Sequence, residues 1–546
     1  MQRRSLALVV GALAAAATLV LGPAATAGSE AASAGTVVFV HEQEPPNLQG
    51  AWVGNNLYAT FMVLNNIYYG GQILDNKANY RLGLFESKPK VVRTSPLTIS
   101  FKFKNNAVWS DGRPVTGADF RATWQVFVNP QNNVISRAGW DQIRSVKAQG
   151  KRATVVFKTR FADWEGLVSP GVYPAHIIAG KNMNEMFLNS IPVSSGPWRF
   201  VSWQKGVQLT VGKNPRFRAG PQMKLDRIVF RYILDTNARF QSLKSGEAQV
   251  MEPQPQLQIA EFVKDSRFKV DQKPGYSFEH LDIQMGPQGH PALKLPYVRQ
   301  ALVTGINRSQ IASTLYQEIS PGIQPLQSLI FKPFESAYRS HWKPWSFSQR
   351  KAISILKGKG CTGGPDRPTA GNDDIFSCPG VGKLSFRYFT TTGNQLRALA
   401  YEIIQRQLKS VGIELVPRFQ TAGVLFGTTL ISRDWDLMWF GWNQTPSSWI
   451  TAEDLYACGG EQNYVTYCNR RATRLLDQVS TTLDDGRRAQ LANEAEAKYL
   501  VKEIPSIPMF ARPIFMISSK KVKGTAVNPT NEGGPWNVSS WSVTAN

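Results

Sequence analysis

Residues 103–120 read FKNNAVWSDGRPVTGADF and predict the end of a strand, a turn and the start of a helix. Apolar residues at every second position over 97–104 indicate a strand with one buried face. The Asp-Gly pair at 111–112 is typical of a turn. Thr116, with Asp119 three residues later, predicts a helix that begins with a reciprocal side-chain cap.

Strand and helix patterns alternate along the rest of the chain. Apolar runs predict strands at 36–40, within 198–233 and at 437–442. Apolar residues at helical spacing predict helices at 235–246, 297–306, 396–411 and 487–501. This alternation predicts an α/β or α+β fold, and the length of 546 residues predicts roughly two to four lobes.

The amino terminus has the three parts of a secretory signal. Arg3 and Arg4 supply positive charge, residues 6–21 form an uncharged apolar run, and Ala25-Thr26-Ala27 is a cleavage motif. A membrane anchor is the alternative, but crossing a bilayer takes roughly 20 apolar residues. We expect residues 1–27 to be a signal peptide. Because no cysteine lies near the cleavage motif, we expect no lipid anchor, and either a Gram-negative periplasm or release from a Gram-positive cell.

The chain carries 62 Lys and Arg against 39 Asp and Glu, a formal net charge of +23. Loss of the two arginines of the signal would leave +21. Only 18% of the residues are charged, below the roughly 25% of an average globular protein, so the excess reflects a shortage of acids. The bases are spread thinly, and the longest cluster is Lys520, Lys521 and Lys523. This pattern predicts no nucleic-acid partner and a positive outer surface.

The four cysteines fall into two local pairs, Cys361 with Cys378 and Cys458 with Cys468. In an exported chain, such pairs are typical of disulfides that close short loops. A zinc site of four thiolates is the alternative, but its usual C-x-x-C spacing is absent. We therefore expect two disulfides.

Sequence motifs of catalysis are missing. No G-x-S-x-G or G-x-x-x-x-G-K-[ST] occurs, and none of the five histidines is spaced as H-x-x-x-H. His280 and Asp282 could share a metal ion, although such a pair is far more often a buried strand position beside a solvated one. Carboxylate pairs occur at Asp434/Asp436 and Glu453/Asp454, as chance alone produces among 39 acids. We expect no catalytic residue, no metal and no cofactor.

Tryptophans are dense in residues 435–449, WDLMWFGWNQTPSSW. Core packing is a sufficient explanation for Trp435. Trp442 differs because it ends a predicted strand just before a polar loop, and ligands of open α/β sheets lie at strand ends. Indole rings bind ligands with little loss of conformational entropy. Trp442 is therefore a predicted ligand contact.

Six segments, in chain order, resemble the bacterial extracellular solute-binding proteins of family 5, the dipeptide- and oligopeptide-binding subunits of ABC importers. They are FKNNAVWSDGRPVTGADF (103–120), SSGPWRFVSWQKG (194–206), KNPRF (213–217), KLDRIVFRYILD (224–235), LPYVRQALVTGINRSQI (295–311) and RALAYEIIQRQLKSVGIEL (397–415). The similarity runs from about residue 36 to 541 and covers nearly all of the chain beyond the signal.

The resemblance implies an α/β (α+β), three-lobed, periplasmic-binding-protein-like clamp of type II with a discontinuous lobe I. Lobe I would comprise 36–75, 191–282 and 506–546, lobe II 76–190 and lobe III 283–505. Such a monomer closes lobes I and III on a peptide or peptide-like ligand and delivers it to an ABC permease in the membrane. A binder of oligosaccharides or other small solutes, a surface sensor or scaffold, and a secreted enzyme are the alternatives.

The resemblance also implies ligand contacts. Trp52, Val53 and Gly54 match the cleft-lining segment of lobe I, and Gly441-Trp442 matches the ligand-facing strand of lobe III. Trp439 stands where oligopeptide binders have a basic residue for the ligand's carboxylate. The further cleft candidates, by position, are Asn443, Trp449, Asn463, Tyr464 and Phe510.

No acid follows Trp442, although oligopeptide binders of this family place an aspartate there for the ligand's α-amino group. Residues 443–446 are Asn, Gln, Thr and Pro. A buried ammonium group without a counter-charge costs several kcal/mol. Either another acid serves, or the ligand is not a zwitterionic peptide. The predicted cleft is aromatic, rich in amides and poor in charge.

Overall fold

The computed structural model describes residues 35–55, 57–442, 444 and 449–544, and for residues 449–451 only the backbone. The predicted signal peptide, residues 1–27, lies outside the described residues. The described chain forms one ten-stranded sheet, one four-stranded sheet, three two-stranded ribbons and the helices around them. No helix in this part of the chain is long and apolar enough to cross a membrane.

The ten-stranded sheet joins two halves of the molecule. Across the sheet, its strands are Glu414–Gln420, Ser385–Thr391, Leu437–Trp442, Phe268–Ile283, Ser506–Ser519, Val250–Met251, Thr36–His41, Arg227–Tyr232, Gln208–Lys213 and Trp198–Gln204. The two longest strands, Phe268–Ile283 and Ser506–Ser519, are antiparallel neighbours in the middle. Leu437–Trp442 pairs with residues 278–283 of the first, and Val250–Met251 pairs with residues 517–518 of the second. The long strands therefore run from one half of the sheet into the other.

The four-stranded sheet is antiparallel and stands apart from the large one. In order, its strands are Lys90–Thr94, Leu97–Lys102, Arg152–Phe157 and Ile143–Gln149. The two-stranded ribbons pair Gln72–Leu74 with Tyr80–Leu82, Ser377–Cys378 with Gly382–Lys383, and Val522–Lys523 with Ser542–Val543.

The segment around residues 103–120 folds as its sequence predicts. The strand Leu97–Lys102 buries its alternate apolar side chains, and Phe103 extends it through a bridge to Phe85. The helix Gly117–Val128 begins at a Thr116 cap, where the Asp119 carboxylate accepts the Thr116 amide at 2.7 Å. The cap is satisfied because both partners are short polar side chains at the required spacing.

Helices cover both sheets. The α-helices are Tyr58–Ile67, Gly117–Val128, Trp164–Val168, Ala175–Ile178, Thr236–Lys244, Ile259–Lys264, Pro296–Gly305, Arg308–Tyr316, Gln349–Lys357, Gln395–Lys409, Ala422–Val424, Leu430–Ser432, Trp449–Tyr456, Arg470–Thr481, Asp485–Ala495 and Val501–Glu503. Two π-helical turns, Leu425–Thr429 and Glu496–Leu500, and two 3₁₀ turns, Pro291–Lys294 and Gly534–Ser540, complete them. The predicted helix at 396–411 therefore begins and ends within two residues of the observed Gln395–Lys409.

The predicted helix at 487–501 is interrupted by the π-helical turn Glu496–Leu500. The carboxylate of Glu496 is fully buried and accepts hydrogen bonds from the Trp342 indole, the Leu329 amide and the Ser328 hydroxyl at 2.9, 2.5 and 2.5 Å. The wider turn directs this acid inward, and helical periodicity alone could not predict it because the partners lie more than 150 residues away.

Two hydrophobic cores fill the part of the chain that the structure describes. One core runs from the large sheet, at Trp198, into the four-stranded sheet, at Phe101. The other lies under the half of the large sheet that contains Leu437–Trp442. Trp435 belongs to this second core and is 0% exposed, so core packing explains it.

The structure joins the cysteines in the two predicted pairs. Cys361 bonds to Cys378 with their Cα atoms 4.1 Å apart, and Cys458 bonds to Cys468 with a Cα separation of 4.5 Å. A four-thiolate zinc site is not formed, and no group of three or more metal-ligating side chains occurs among the described residues.

Candidate ligand-binding cleft

A cleft with a water-accessible volume of about 320 Å³ lies where the two long strands change partners. Part of its wall comes from residues 41–43, 54, 57, 58, 61 and 252–255, next to the strand Thr36–His41. The opposite part comes from residues 426, 430, 440–442, 462 and 464, next to the strand Leu437–Trp442. Residues 512–514 of a long strand connect the two parts. The cleft therefore belongs to both halves of the sheet.

Aromatic rings form one wall of the cleft. Trp442 stacks nearly parallel on Tyr464, with ring centroids 6.3 Å apart, and on His280, with centroids 5.9 Å apart. Phe440 lies two residues earlier on the same face of the strand and meets Trp442 edge-on at 5.0 Å. Trp442 is half-buried, so part of its indole is open to the cleft.

A buried ion cluster underlies the same strand. Both oxygens of Glu279 accept hydrogen bonds from Arg397, at 3.0 and 3.3 Å, and Oε2 also accepts the Trp439 indole N–H at 2.7 Å. Arg512 Nη1 lies 3.8 Å from Glu279 Oε1. Burial opposes ionisation of Glu279, but Arg397 and Arg512 outweigh that effect and lower its pKa. Glu279 is therefore a carboxylate shared by two guanidinium groups.

Gly441 lies directly against this cluster. A Cβ atom at position 441 would lie 3.1 Å from Glu279 Oε1, 3.4 Å from Arg512 Nη1 and 3.6 Å from Arg397 Nη2. The Gly-Trp pair thus has two tasks, because glycine leaves room for the ion cluster on one face and tryptophan lines the cleft on the other.

Two acids, Glu42 and Glu252, line the cleft itself. Tyr58 donates its hydroxyl to Glu252 Oε1 at 2.5 Å, and burial raises the pKa of Glu252 to about 7. Glu42 accepts hydrogen bonds from Arg239 Nη2, at 3.2 Å, and from the Gln254 side chain. Gln254 also accepts hydrogen bonds from Arg512 and Asn394, at 3.4 and 2.9 Å.

The cleft is therefore not poor in charge, contrary to the expectation from sequence. Glu42, Glu252, Arg397 and Arg512 all line it. The low charge of the cleft was inferred from the segment around Gly441 and Trp442, and these four residues lie outside that segment. A signal for Glu252 was present, because this acid directly follows the apolar pair Val250–Met251, a strand end.

Four of the sequence-predicted contacts line the cleft, namely Gly54, Gly441, Trp442 and Tyr464. Trp439 and Phe510 lie behind it, where they pack on each other and line a small cavity beside Glu279 and Arg397. The indole N–H of Trp439 is donated to Glu279 at 2.7 Å and points away from the cleft lining.

The other predicted contacts lie elsewhere. Trp52 is buried against Phe127 and Tyr173 and donates its indole N–H to Asn184 at 3.0 Å, and Val53 is 45% exposed away from the cleft lining. Asn463 is buried in the Cys458–Cys468 loop, where its side chain bonds the backbone of residues 457 and 467. Asn443 lies outside the described residues, and Trp449 is described only by its backbone.

The His and carboxylate pairs that the sequence offered as possible metal-binding or catalytic groups lie close to each other or contact other side chains. His280 Nε2 lies 3.3 Å from Asp282 Oδ2, and both side chains are buried. Arg387 lies between Asp434 and Asp436, at 2.7 and 3.0 Å. Glu453 accepts the Ser480 hydroxyl, and Asp454 accepts the Gln462 amide at 2.7 Å. None of these bonds indicates a catalytic pair.

The sequence profile described as "Bacterial extracellular solute-binding proteins, family 5 Middle" matches residues 79–463. Oligopeptide-binding protein AppA of Bacillus subtilis is 23% identical over 508 residues, which cover 89% of each chain. Oligopeptide-binding protein OppA of Mycobacterium tuberculosis is 24% identical over 437 residues, which cover 78% of this chain and 71% of that one. The resemblance inferred from the six segments is thereby confirmed.

Solved structures share the fold. The periplasmic EDTA-binding protein EppA superimposes with a TM-score of 0.82 at 20% identity, covering 94% of this chain and 97% of its own. AppA of Bacillus subtilis, in complex with a nonapeptide, gives 0.81 at 21% identity and coverages of 94% and 99%. NikZ of Campylobacter jejuni, in complex with Ni(L-His), gives 0.81 at 19% identity and coverages of 93% and 100%. The predicted fold class is confirmed, and the chain belongs to the bacterial extracellular solute-binding proteins of family 5.

Proposed function

We propose that this protein is the extracytoplasmic receptor of an ABC importer, which captures peptides or peptide-like ligands between two lobes and delivers them to a membrane permease. The observation that carries the proposal is the cleft itself, which combines an aromatic wall at Trp442 and Tyr464 with positively and negatively charged side chains. Peptide binders such as AppA and OppA among the relatives support a peptide ligand.

The proposed lobes are 36–75 with 191–282 and 506–546 for lobe I, 76–190 for lobe II and 283–505 for lobe III. With these bounds the two long strands belong to lobe I, and Phe268–Ile283 pairs with Leu437–Trp442 of lobe III. The long strands would then serve as the hinge. Their pairing shifts register between Pro274 and Phe278 and between Glu279 and His280, next to the cleft. Irregular pairing weakens a ladder locally, which suits a segment that bends when the lobes close.

The volume of the cleft favours a small ligand. Ligand pockets usually measure about 300–1,000 Å³, and this cleft, at about 320 Å³, is at the lower end. We propose that Gly54, Gly441, Trp442 and Tyr464 contact the ligand directly. A short peptide fits this combination because its backbone offers hydrogen bonds while its side chains pack on the rings.

A sugar or another small solute is the second candidate. Trp442 and Tyr464 stack with an angle of only 7° between their rings, and such a flat aromatic surface also suits the apolar face of a sugar ring. NikZ, whose structure is in complex with Ni(L-His), and EppA, described as an EDTA-binding protein, have this fold and support a small solute that is not a peptide.

Export is part of the proposal. Residues 1–27 would be removed as a signal peptide, and the chain would act as a monomer, without a lipid anchor and without enzymatic activity. Amino-terminal sequencing of the protein recovered outside the cytoplasm should find Gly28 or a close neighbour as the first residue. A chain that keeps its amino-terminal methionine there would contradict the signal.

Native mass spectrometry tests the ligand class. The purified protein is mixed with an equimolar tripeptide library and, separately, with an equimolar mixture of di- and trisaccharides. The proposal predicts one retained peptide per chain and no retained sugar. Retention of sugars alone would favour the second candidate, and retention of neither would overturn the peptide proposal.

A further inference from the structure

Residues 443–446 contain no acid, so the segment after Trp442 offers no carboxylate to a cationic ligand group. Two of the acids near the cleft already pair with cations. Glu279 is bound by Arg397, and Glu42 accepts a hydrogen bond from Arg239. Glu252 is different, because no Lys, Arg or His in the described part of the chain forms an ion pair with it.

Glu252 is held in place although it lacks such a partner. Its Oε1 accepts the Tyr58 hydroxyl at 2.5 Å, and both residues line the cleft. Its Oε2 lies against Gly534 and accepts no hydrogen bond from a side chain of the described residues. The residue is only 7% exposed. A buried carboxylate without a cation is costly, and a ligand that supplies the cation removes that cost.

The pKa of Glu252 is changed by its buried position. Burial raises its pKa to about 7, although the Tyr58 hydroxyl, Arg512 and the Gly534 backbone amide all oppose the rise. The charges of two further residues change the pKa of the Tyr58 hydroxyl: Glu532 raises it and Arg512 lowers it. A neighbouring ammonium group would favour the charged form of Glu252 and lower this pKa again.

Positive charge also lies in the same cleft. Glu279 is one carboxylate between two guanidinium groups, so the three side chains together carry one positive charge. Arg512 and Arg397 both line the cleft as well. The cleft thus carries negative charge at Glu252 and positive charge at Arg512, whose charge also favours the ionised form of Glu252. Groups of both signs in one cleft suit a ligand that carries both charges.

We propose that Glu252, held by Tyr58, binds a primary ammonium group of the ligand. Glu252 then replaces the acid missing after Trp442, from a segment that follows Val250–Met251 in the other half of the sheet. The inference rests on the proposed peptide ligand. Two sources supply such a group, the free amino terminus of a peptide and the side chain of a lysine.

Four equimolar tripeptide libraries distinguish the amino terminus from the lysine side chain as the bound group. Two libraries contain lysine and two lack it, and each kind is made with free and with acetylated amino termini. Native mass spectrometry at pH 7.5 measures the retained peptides. If the amino terminus binds, the wild type retains the free lysine-less library at least tenfold better than its acetylated counterpart. If lysine binds, acetylation has no effect on the libraries that contain lysine, and their retention exceeds that of the acetylated lysine-less library tenfold.

The variant Glu252→Gln is the decisive comparison, because glutamine keeps an oxygen for Tyr58 and loses the charge. It should lose the preference for the ammonium group while it retains the acetylated lysine-less library like the wild type. Glu86→Gln is the matched control, since Glu86 bonds Lys102 on the surface and should leave the preference unchanged. Between pH 8 and pH 6, the preference of the wild type should shrink as Glu252 takes up a proton, whereas that of Glu252→Gln should not change.

An unchanged preference in Glu252→Gln, or equal retention of all four libraries by the wild type, would overturn this inference and leave the peptide receptor standing. If the wild type retains no peptide from any library, the proposed ligand class fails, and the inference fails with it. Tyr58→Phe is a second variant, which removes only the hydroxyl that holds Glu252. It should weaken the preference without abolishing it.

Discussion

Trp442 has contacts with both the core and the cleft, because its indole stacks on His280 and on Tyr464 and remains partly open. The sequence marked this residue correctly as the end of a strand. It could not show that Glu279 and Arg397 lie directly behind Gly441, since positions 279, 397 and 441 are brought together only by the pairing of distant strands and a helix.

Trp442→Ala should weaken ligand binding by about tenfold or more, which corresponds to about 1.4 kcal/mol. The substitution removes an aromatic surface of the cleft but leaves the strand and the ion cluster behind it intact. Titration calorimetry with a tripeptide that the wild type retains measures the loss.

Trp435→Ala is the control for this substitution. Trp435 is 0% exposed, so its truncation should cost about 3–5 kcal/mol of unfolding free energy. The loss of stability in Trp442→Ala should be clearly smaller. Equal losses of stability in the two variants would make Trp442 a core residue and remove it from the proposed ligand contacts.

At the scale of elements, helices and strands that depend on neighbouring residues could be predicted from sequence patterns. Features that depend on contacts between distant segments could not. The cap of Gly117–Val128 and the strand Leu437–Trp442 depend on residues close in sequence, and both occur as predicted. The π-helical turn at Glu496–Leu500 was not predicted, because it depends on contacts with residues 328–342. The charged lining of the cleft was missed for the same reason, since its acids and arginines come from four separate segments.

An ion pair joins two elements that are far apart in sequence. Arg488, in the helix Asp485–Ala495, donates to Asp163 at 2.6 Å, and both side chains are only 5% exposed. Next to it, the Ala162 amide donates to the Ser480 carbonyl at 2.7 Å. These bonds connect the proposed lobes II and III.

Arg488→Met should lower the unfolding free energy by about 3–5 kcal/mol, because it leaves the Asp163 carboxylate buried without its cation. Urea denaturation followed by tryptophan fluorescence measures the change. Arg487→Met is the matched control at the exposed neighbouring position and should change stability by less than about 0.5 kcal/mol. A loss below 1 kcal/mol in Arg488→Met would show that the pair contributes little to folding.

At the scale of the whole molecule, buried acids make stability depend on pH. Burial raises the pKa values of Glu252, Glu453 and Glu532 to about 7. A group whose pKa is higher in the folded state holds its proton better there than in the unfolded chain. Its contribution to stability is therefore complete below about pH 4.5 and is lost as the pH rises through 7.

Glu532→Gln tests this dependence, because the glutamine oxygen can still accept the Leu74 amide that Glu532 binds at 3.0 Å. The variant should be more stable than the wild type at pH 8, by about 2–3 kcal/mol, and no more stable at pH 4.5. Urea denaturation at the two pH values gives both differences. A variant that is equally stable to the wild type at pH 8 would show that the pKa of Glu532 is not raised.

The long strands Phe268–Ile283 and Ser506–Ser519 connect the two halves of the molecule, and the cleft opens where they change partners. Gly54 and Gly427 meet across it, where a Cβ atom at Gly54 would lie 3.7 Å from the Cα atom of Gly427. These features suit a clamp that closes on its ligand, with the binding energy of the ligand favouring the closed arrangement.

Native mass spectrometry of the wild type and Trp442→Ala in the presence of the equimolar tripeptide library tests the receptor most directly. A receptor of this kind retains a single peptide per wild-type chain, and the Trp442→Ala chain retains at least tenfold less. A wild-type chain that retains no peptide, or two chains that retain peptides equally well, would contradict the proposal that this cleft captures peptides.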